Sequence, residues 1–136
     1  MHTKSYRDLK VWQAGMELAT DLYRLTESFP TYERLLLTTQ LRLAGVAIAS
    51  NIAEGYSRSS RRPFLEHISI AQGSAIDVEV QLLIAERLGY LEIEALAVAR
   101  ARCDTVCRLL DQLKPTAGTK RRRGGRRASD RRGRAA

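Results

Sequence analysis

Proline is confined to three places, Pro30, Pro63 and Pro115, and between them apolar residues return every three or four positions. That spacing is the period of an α-helix, and long stretches without proline favour long helices. Leu9, Trp12, Met16, Ala19 and Tyr23 form one stripe, and Val11, Leu18, Leu22, Leu25 and Phe29 a neighbouring one. Together they predict a first helix over Tyr6–Ser28 with a wide buried face. A second helix is predicted from Thr31 or Tyr32 to Tyr56, with Thr31 as N-cap and Glu33 in the first turn. Thr38 offers a later start, which would leave residues 32–37 as a separate turn. Small residues in its centre (Ala44, Gly45, Ala47, Ala49 and Ala53) allow close approach of neighbouring helices.

Ser59 or Ser60 is expected to cap a third helix that runs to about Leu88, with Pro63 in its first turn. Leu65, Ile68, Ala75, Ile76, Val78, Leu82, Leu83 and Ala85 form its expected packing face, and Gly73 is expected to mark close contact with another backbone. A fourth helix follows from Glu92 to Leu113, with Ile93, Leu96, Ala99, Cys103, Val106, Leu110 and Leu113 as its seam. No strand alternation is found. The connections are short, so sequential helices should be antiparallel neighbours. The expected fold is all-α: an antiparallel up-down-up-down four-helix bundle over residues 1–114, with a disordered basic C-terminal tail over 115–136. The tail has no large apolar residue with which to offset the entropy of ordering.

Charge divides the chain at the same point. Residues 1–114 hold 14 Lys/Arg and 14 Asp/Glu, while the tail holds nine Lys/Arg against one acid, Asp130, so the whole net charge of +8 sits there. The bundle topology would gather Lys4, Arg7, Lys10, Arg58, Arg61, Arg62 and Lys114 at one end. The opposite end would hold Glu27, Glu33, Glu86, Glu92 and Glu94, partly offset by Arg34 and Arg87. Candidate nucleic-acid-binding residues are Arg58, Arg61 and Arg62 together with Lys120, Arg121, Arg122, Arg123, Arg126, Arg127, Arg131, Arg132 and Arg134. Guanidinium groups pair with phosphate and stack on bases, which suits RNA or DNA.

No catalytic constellation is recognised, and neither a metal nor a cofactor is expected. Gln40, Asn51, Glu54, Ser74 and Glu79 are expected to form a structural polar network between the second and third helices, and Glu54 with Glu79 is the obvious carboxylate pair. Cys103, Cys107 and His67 lack the usual zinc spacing. The cysteines read as small core residues, and a disulfide between two positions four apart on one helix is not expected. No signal peptide is visible, and the longest run of apolar residues and glycine, Leu43–Ala49, is far short of the roughly 20 a membrane span needs. A cytoplasmic protein with no membrane partner is expected.

The segments DLKVWQAGMEL, FPTYE, TTQLRLAGVAIASNIAEGYSR and IAQGSAIDVEVQLLIAERLGYL resemble the bacterial four-helix-bundle family of 23S ribosomal RNA-intervening-sequence proteins. The likeness covers roughly Tyr6 to Leu113 and is most specific at Asn51–Gly55; Asn51, Glu54, Gly55, Gly73 and Ser74 match the family motif. The accessory variability determinant proteins of diversity-generating retroelements are similar bundles. The resemblance implies a ring-like homopentamer without catalytic chemistry, with structural roles for the motif residues. In the retroelement branch it implies work beside a reverse transcriptase and its RNA. Residues and resemblance together point to a non-enzymatic homo-oligomeric scaffold that binds RNA or DNA through a basic end and tail. The rival reading is a protein-interaction adaptor, for a partner such as a reverse transcriptase, with an incidental tail.

Overall fold

The computed structural model describes residues 5–115. Four helices make up almost all of it: α1 (Lys10–Thr26), α2 (Leu37–Tyr56), α3 (Arg61–Arg87) and α4 (Ile93–Gln112). Each packs against the next, α4 closes back on α1, and the diagonal pairs do not meet. The result is the expected four-helix bundle, with α2 and α3 in the most extensive contact.

Its core is a single apolar cluster. Leu18 and Leu22 from α1, Leu41, Ile48 and Ile52 from α2, Ile68, Val78 and Leu82 from α3, and Val106 and Leu110 from α4 are sealed from solvent. Burial of such side chains stabilises by roughly 1.5–3 kcal/mol each before chain entropy is subtracted. Gly45 lets α1 come close: a Cβ there would lie 2.9 Å from Leu22 Cδ1 and 3.3 Å from Ala19 Cα. Gly55 does the same for α3, with His67 Cβ at 2.9 Å and the Phe64 carbonyl oxygen at 3.3 Å.

The helix ends differ from the sequence reading for local reasons. The Ser5 hydroxyl accepts from Arg7 N–H (3.2 Å) and closes a 3-10 turn at Tyr6–Asp8, after which Leu9 is extended. The first helix therefore starts at Lys10 rather than Tyr6. Tyr6 packs edge-on against Trp12 (5.2 Å), and Gln13 Nε2 donates to the Arg7 carbonyl (2.9 Å), which holds the turn down. Thr31 does not cap the second helix. It opens a 3-10 turn at Thr31–Glu33, and α2 begins only at Leu37, whose N–H donates to Glu33 Oε1 (3.3 Å). Neither serine before α3 supplies a side-chain cap; Ser60 occupies the cap position without bonding. Gly89, at φ 78°, turns the chain out of α3, and Tyr90 N–H returns to the Ala85 carbonyl at 2.9 Å.

Five core expectations are corrected. Met16, Tyr23, Ile76 and Ile93 face solvent. Gly73 is exposed, and a Cβ there would meet nothing within 4 Å, so it marks no close contact inside this chain. By length and mean hydropathy α3 is long and apolar enough to cross a membrane, although its longest uninterrupted apolar runs are short. In the bundle its apolar residues divide between the core (Ile68, Ala71, Ala75, Val78, Leu82, Ala85) and an outward face (Ile70, Ile76, Val80, Ile84).

The two expected ends exist, but the basic one is staggered. At the acidic end Tyr90 OH donates to Glu33 Oε2 (2.6 Å), and the Phe29 and Tyr90 rings meet at 5.4 Å, which joins the α1–α2 and α3–α4 connections. At the other end α4 stops short. Its Asp111 accepts from Gln72 Nε2, and Arg61 lies eleven residues further along α3, about 16 Å at 1.5 Å per residue. A single cationic pole that includes Lys114 is thus replaced by an arginine corner and, well down the axis, the exit of α4.

Candidate nucleic-acid interface

The corner between α2 and α3 is built from the sequence YSRSSRRP. Arg58 sits in the connection, and Arg61 and Arg62 open α3; all three are exposed. The first turn of α3 carries no acid, and no side chain caps it. Helix N-termini present unpaired N–H groups and positive dipole charge, so two arginines there oppose the dipole and leave a strongly anion-receptive surface. One carboxylate moderates it: Arg62 Nε lies 3.5 Å from Glu66 Oε1, with the Arg62 side chain 92% exposed. Beside it runs an open groove of about 670 Å³ lined by Arg61, Arg62, Leu65, Glu66, Ser69 and Ile70. Lys4 and the expected tail residues (Lys120, Arg121, Arg122, Arg123, Arg126, Arg127, Arg131, Arg132 and Arg134) lie outside the described residues.

The expected polar network does not form as one unit. Asn51 Nδ2 donates to the Ala47 carbonyl (2.8 Å), and its Oδ1 lies 3.0 Å from His67 Nδ1. Glu54 Oε2 stands 3.7 Å from the same histidine nitrogen. Gln40 instead accepts from Gln81 Nε2 (3.5 Å), and Glu79 pairs with Arg100 of α4 (3.5 Å). Ser74 is half-buried on α3 and links none of these groups. Glu54 is level with His67 and Glu79 lies twelve residues along α3, about 18 Å away, so the two carboxylates cannot act as a pair. The antiparallel register of α2 and α3 separates what sequence proximity to an apolar stripe had suggested to be joined.

Cys103 donates to the Ala75 carbonyl (3.2 Å), eight residues along α3 from His67, so the cysteines and His67 do not converge. Burial, reinforced by Cys107 and Glu79, pushes the Cys103 thiol up to about 12. Burial also raises Cys107. Both are free thiols, and no cluster of three or more metal-ligating side chains is found among the described residues.

The description of a 23S rRNA-intervening sequence protein matches residues 7–112, from the turn before α1 to the last residue of α4. The chain belongs to that family. Among solved structures, a protein of unknown function from the S23 ribosomal protein family of Bacteroides thetaiotaomicron is similar. It is 22% identical, with a TM-score of 0.71 over 76% of this chain and 93% of that one, a likeness that carries the fold. No curated protein matches in sequence. Within the matched span Asn51 holds His67, and Gly55 makes room for the same histidine.

Sequence reasoning missed three side chains that organise the bundle. His67 had been set aside for want of a ligand motif. Arg102 reaches from α4 to Glu17 and Asp21 of α1, 2.6 Å from each, and its guanidinium is held further toward the charged form by the bond to Glu17. Arg42 reaches from α2 to the end of α1. Each sits at a half-buried position on a helix flank, and only the helix pairing reveals its partner.

Proposed function

We propose that this protein is a non-enzymatic homo-oligomeric scaffold that binds RNA or DNA through the α2–α3 arginine corner and the basic C-terminal segment. The carrying observation is the uncapped α3 N-terminus with Arg58, Arg61 and Arg62 grouped on it and no acid in its first turn. Phosphates suit that combination of oriented N–H groups and guanidinium forks. The excess of eight positive charges in residues 115–136 adds an electrostatic contribution independent of base sequence.

Self-assembly is supported by exposed apolar side chains on the outside of the α2–α3 pair. Leu43 and Val46 lie on one side of α2, exposed Leu36 precedes that helix, and Ile70, Val80 and Ile84 lie on one side of α3. Exposed apolar surface of this extent on adjoining helices fits a subunit contact. We place that contact here and take the assembly to be the pentameric ring that the family resemblance implies. A ring gathers five basic corners and five C-terminal segments, which multiplies a weak individual affinity.

Fluorescence anisotropy with labelled RNA and DNA across a salt series tests the reading. Wild type is compared with a truncation after Lys114 and with Arg58→Gln/Arg61→Gln/Arg62→Gln. If all eight charges engage duplex DNA, log K falls against log salt with a slope of about −7, from about 0.9 per neutralised phosphate. The truncation then flattens the slope, and the triple variant weakens binding without altering assembly. Equal affinities and slopes in all three proteins remove nucleic acid from the function and leave the adaptor reading, in which the same apolar face docks a partner enzyme.

A further inference from the structure

The longest helix of the bundle is α3, and α4 does not cover all of it. Asp111, in the last turn of α4, accepts from Gln72, and α4 ends one residue later. The flank of α3 that carries Gln72 continues toward the helix start through Ser69, Leu65 and the Arg61–Arg62 pair, residues spaced three and four apart. This stretch is about 16 Å long at 1.5 Å per residue. No helix among the described residues covers its flank, because α4 has ended and α1 lies on the diagonal and does not meet α3. The open groove of about 670 Å³ lined by Arg61, Arg62, Leu65, Glu66, Ser69 and Ile70 is the consequence.

The groove joins two kinds of surface. Half-buried Leu65 and exposed Ile70 give it an apolar wall that lies outside the core cluster. Arg61 and Arg62 stand exposed at one end, and Glu66 is the one acid on it, with Oε1 at 3.5 Å from Arg62 Nε. Lys114, three residues past Asp111, stands at about the height of Ser69 by helical rise. The segment that carries eight excess positive charges is therefore joined to the bundle at the other end of the groove. Charge calls for an anionic occupant, and the wall calls for one with apolar faces. The chain's own C-terminal segment meets neither condition, since it carries no large apolar residue and would set arginine against arginine. A duplex meets only the first, because its outward surface is phosphate and its base faces are stacked away. A single strand meets both, since its bases are free to leave the stack and lie on side chains.

Resting on the nucleic-acid reading above, we propose that this groove selects single-stranded nucleic acid, with phosphates on Arg61 and Arg62 and bases laid on Leu65 and Ile70. The uncovered stretch of about 16 Å matches about five nucleotides at a stacked rise of 3.4 Å. Charge does not produce such a preference. Each neutralised phosphate contributes about 0.9 to the salt slope in duplex DNA against about 0.7 in a single strand, because duplex phosphates are the denser. Cations alone thus favour the duplex, and a preference for the single strand reports contact with bases.

The test is fluorescence anisotropy of the full chain with a labelled DNA strand of about 12 nucleotides, alone and annealed to its complement, at one salt concentration. The quantity read is the ratio of single-strand to duplex affinity. Wild type should favour the single strand. Leu65→Ser, which removes most of the apolar wall, should lower the ratio at least about threefold. Ser69→Tyr places an aromatic face at an exposed groove position with similar helix propensity, so it folds as wild type does and should raise the ratio about fivefold or more. If circular dichroism shows that Leu65→Ser does not fold, Ser69→Tyr alone decides. Duplex binding by wild type that equals or exceeds single-strand binding, or a ratio left unchanged by a folded variant, overturns the single-strand proposal and leaves the nucleic-acid reading standing. A sedimentation coefficient altered by Ser69→Tyr at an unchanged ratio assigns the groove to a second copy and overturns it as well. Failure of wild type to bind either probe defeats both readings.

Discussion

The glycines allow the helix-packing argument to be tested with one kind of substitution at two buried sites. Alanine for glycine inside a helix gains about 1 kcal/mol from propensity alone. At Gly15 an added Cβ would lie 3.5 Å from Ile48 Cγ2, 3.6 Å from Ile52 Cδ1 and 3.7 Å from Ala49 Cα, all ordinary contact distances. Gly15→Ala therefore keeps the propensity gain and buries a methyl worth about 0.8 kcal/mol, for a net stabilisation of roughly 1–2 kcal/mol. At Gly55 the Cβ would lie 2.9 Å from His67 Cβ and 3.3 Å from the Phe64 carbonyl oxygen. Neither atom is the free end of a flexible chain, so α2 and α3 must part. Overpacking of that kind costs about 1–3 kcal/mol, which cancels or exceeds the propensity gain. Gly55→Ala should thus fall about 2–4 kcal/mol below Gly15→Ala. Urea unfolding followed by far-UV circular dichroism, at one fixed protein concentration, measures the gap. If both variants gain equally, the small residues do not set the helix spacing and the packing argument is wrong.

Other consequences follow from the same geometry. Asn51→Ala leaves half-buried His67 without its bond and should destabilise by about 1–2 kcal/mol, while Asn51→Asp, which keeps the acceptor, should lose less; both are read by the same unfolding assay. Arg102→Met breaks ion pairs that are partly exposed, so the loss should stay near or below about 1 kcal/mol and shrink further in high salt. With its thiol pushed from about 9 to about 12, native Cys103 should react far more slowly with a thiol-specific disulfide reagent near pH 8 than it does in urea. The native state keeps a proton that the unfolded chain gives up, so this group's contribution to stability is constant below about pH 9 and falls as pH rises toward 12. Cys103→Ala should remove that part of the alkaline loss, visible as a smaller pH dependence of the urea midpoint. Gly73→Ala, which meets nothing within this chain, should raise monomer stability by about 1 kcal/mol. If it instead shifts the sedimentation coefficient, Gly73 lies in a subunit contact.

Much of the architecture was legible from local rules. Apolar spacing of three and four, interrupted around Pro30, Pro63, Gly89 and Pro115, located all four helices to within a few residues. The alternative start near Thr38 was the correct one for α2, because Glu33 takes the Leu37 N–H and leaves Thr31–Glu33 as a separate turn. The arginine corner was legible too, since Arg58, Arg61 and Arg62 are close in the chain. Periodicity was less reliable where helix faces are apolar nearly all round. On α3 it assigned Ile76 inward, yet the helix carries apolar residues on both its core and its outer sides.

What the sequence determined by itself was what acts over one or two helical turns: helix type, approximate ends, the small-residue centre of α2 and the segregation of positive charge beyond residue 114. Tertiary structure alone decided which side chains meet. Asn51 and His67 are sixteen residues apart, Arg42 and Thr26 likewise, and Arg102 and Glu17 eighty-five. Their contact depends on the register and rotation of paired helices, and a shift of a single residue turns a side chain by about 100° around the axis. The same register parted Glu54 from Glu79. Those pairings arise from the joint packing of all four apolar faces, which no single helix carries in its own pattern.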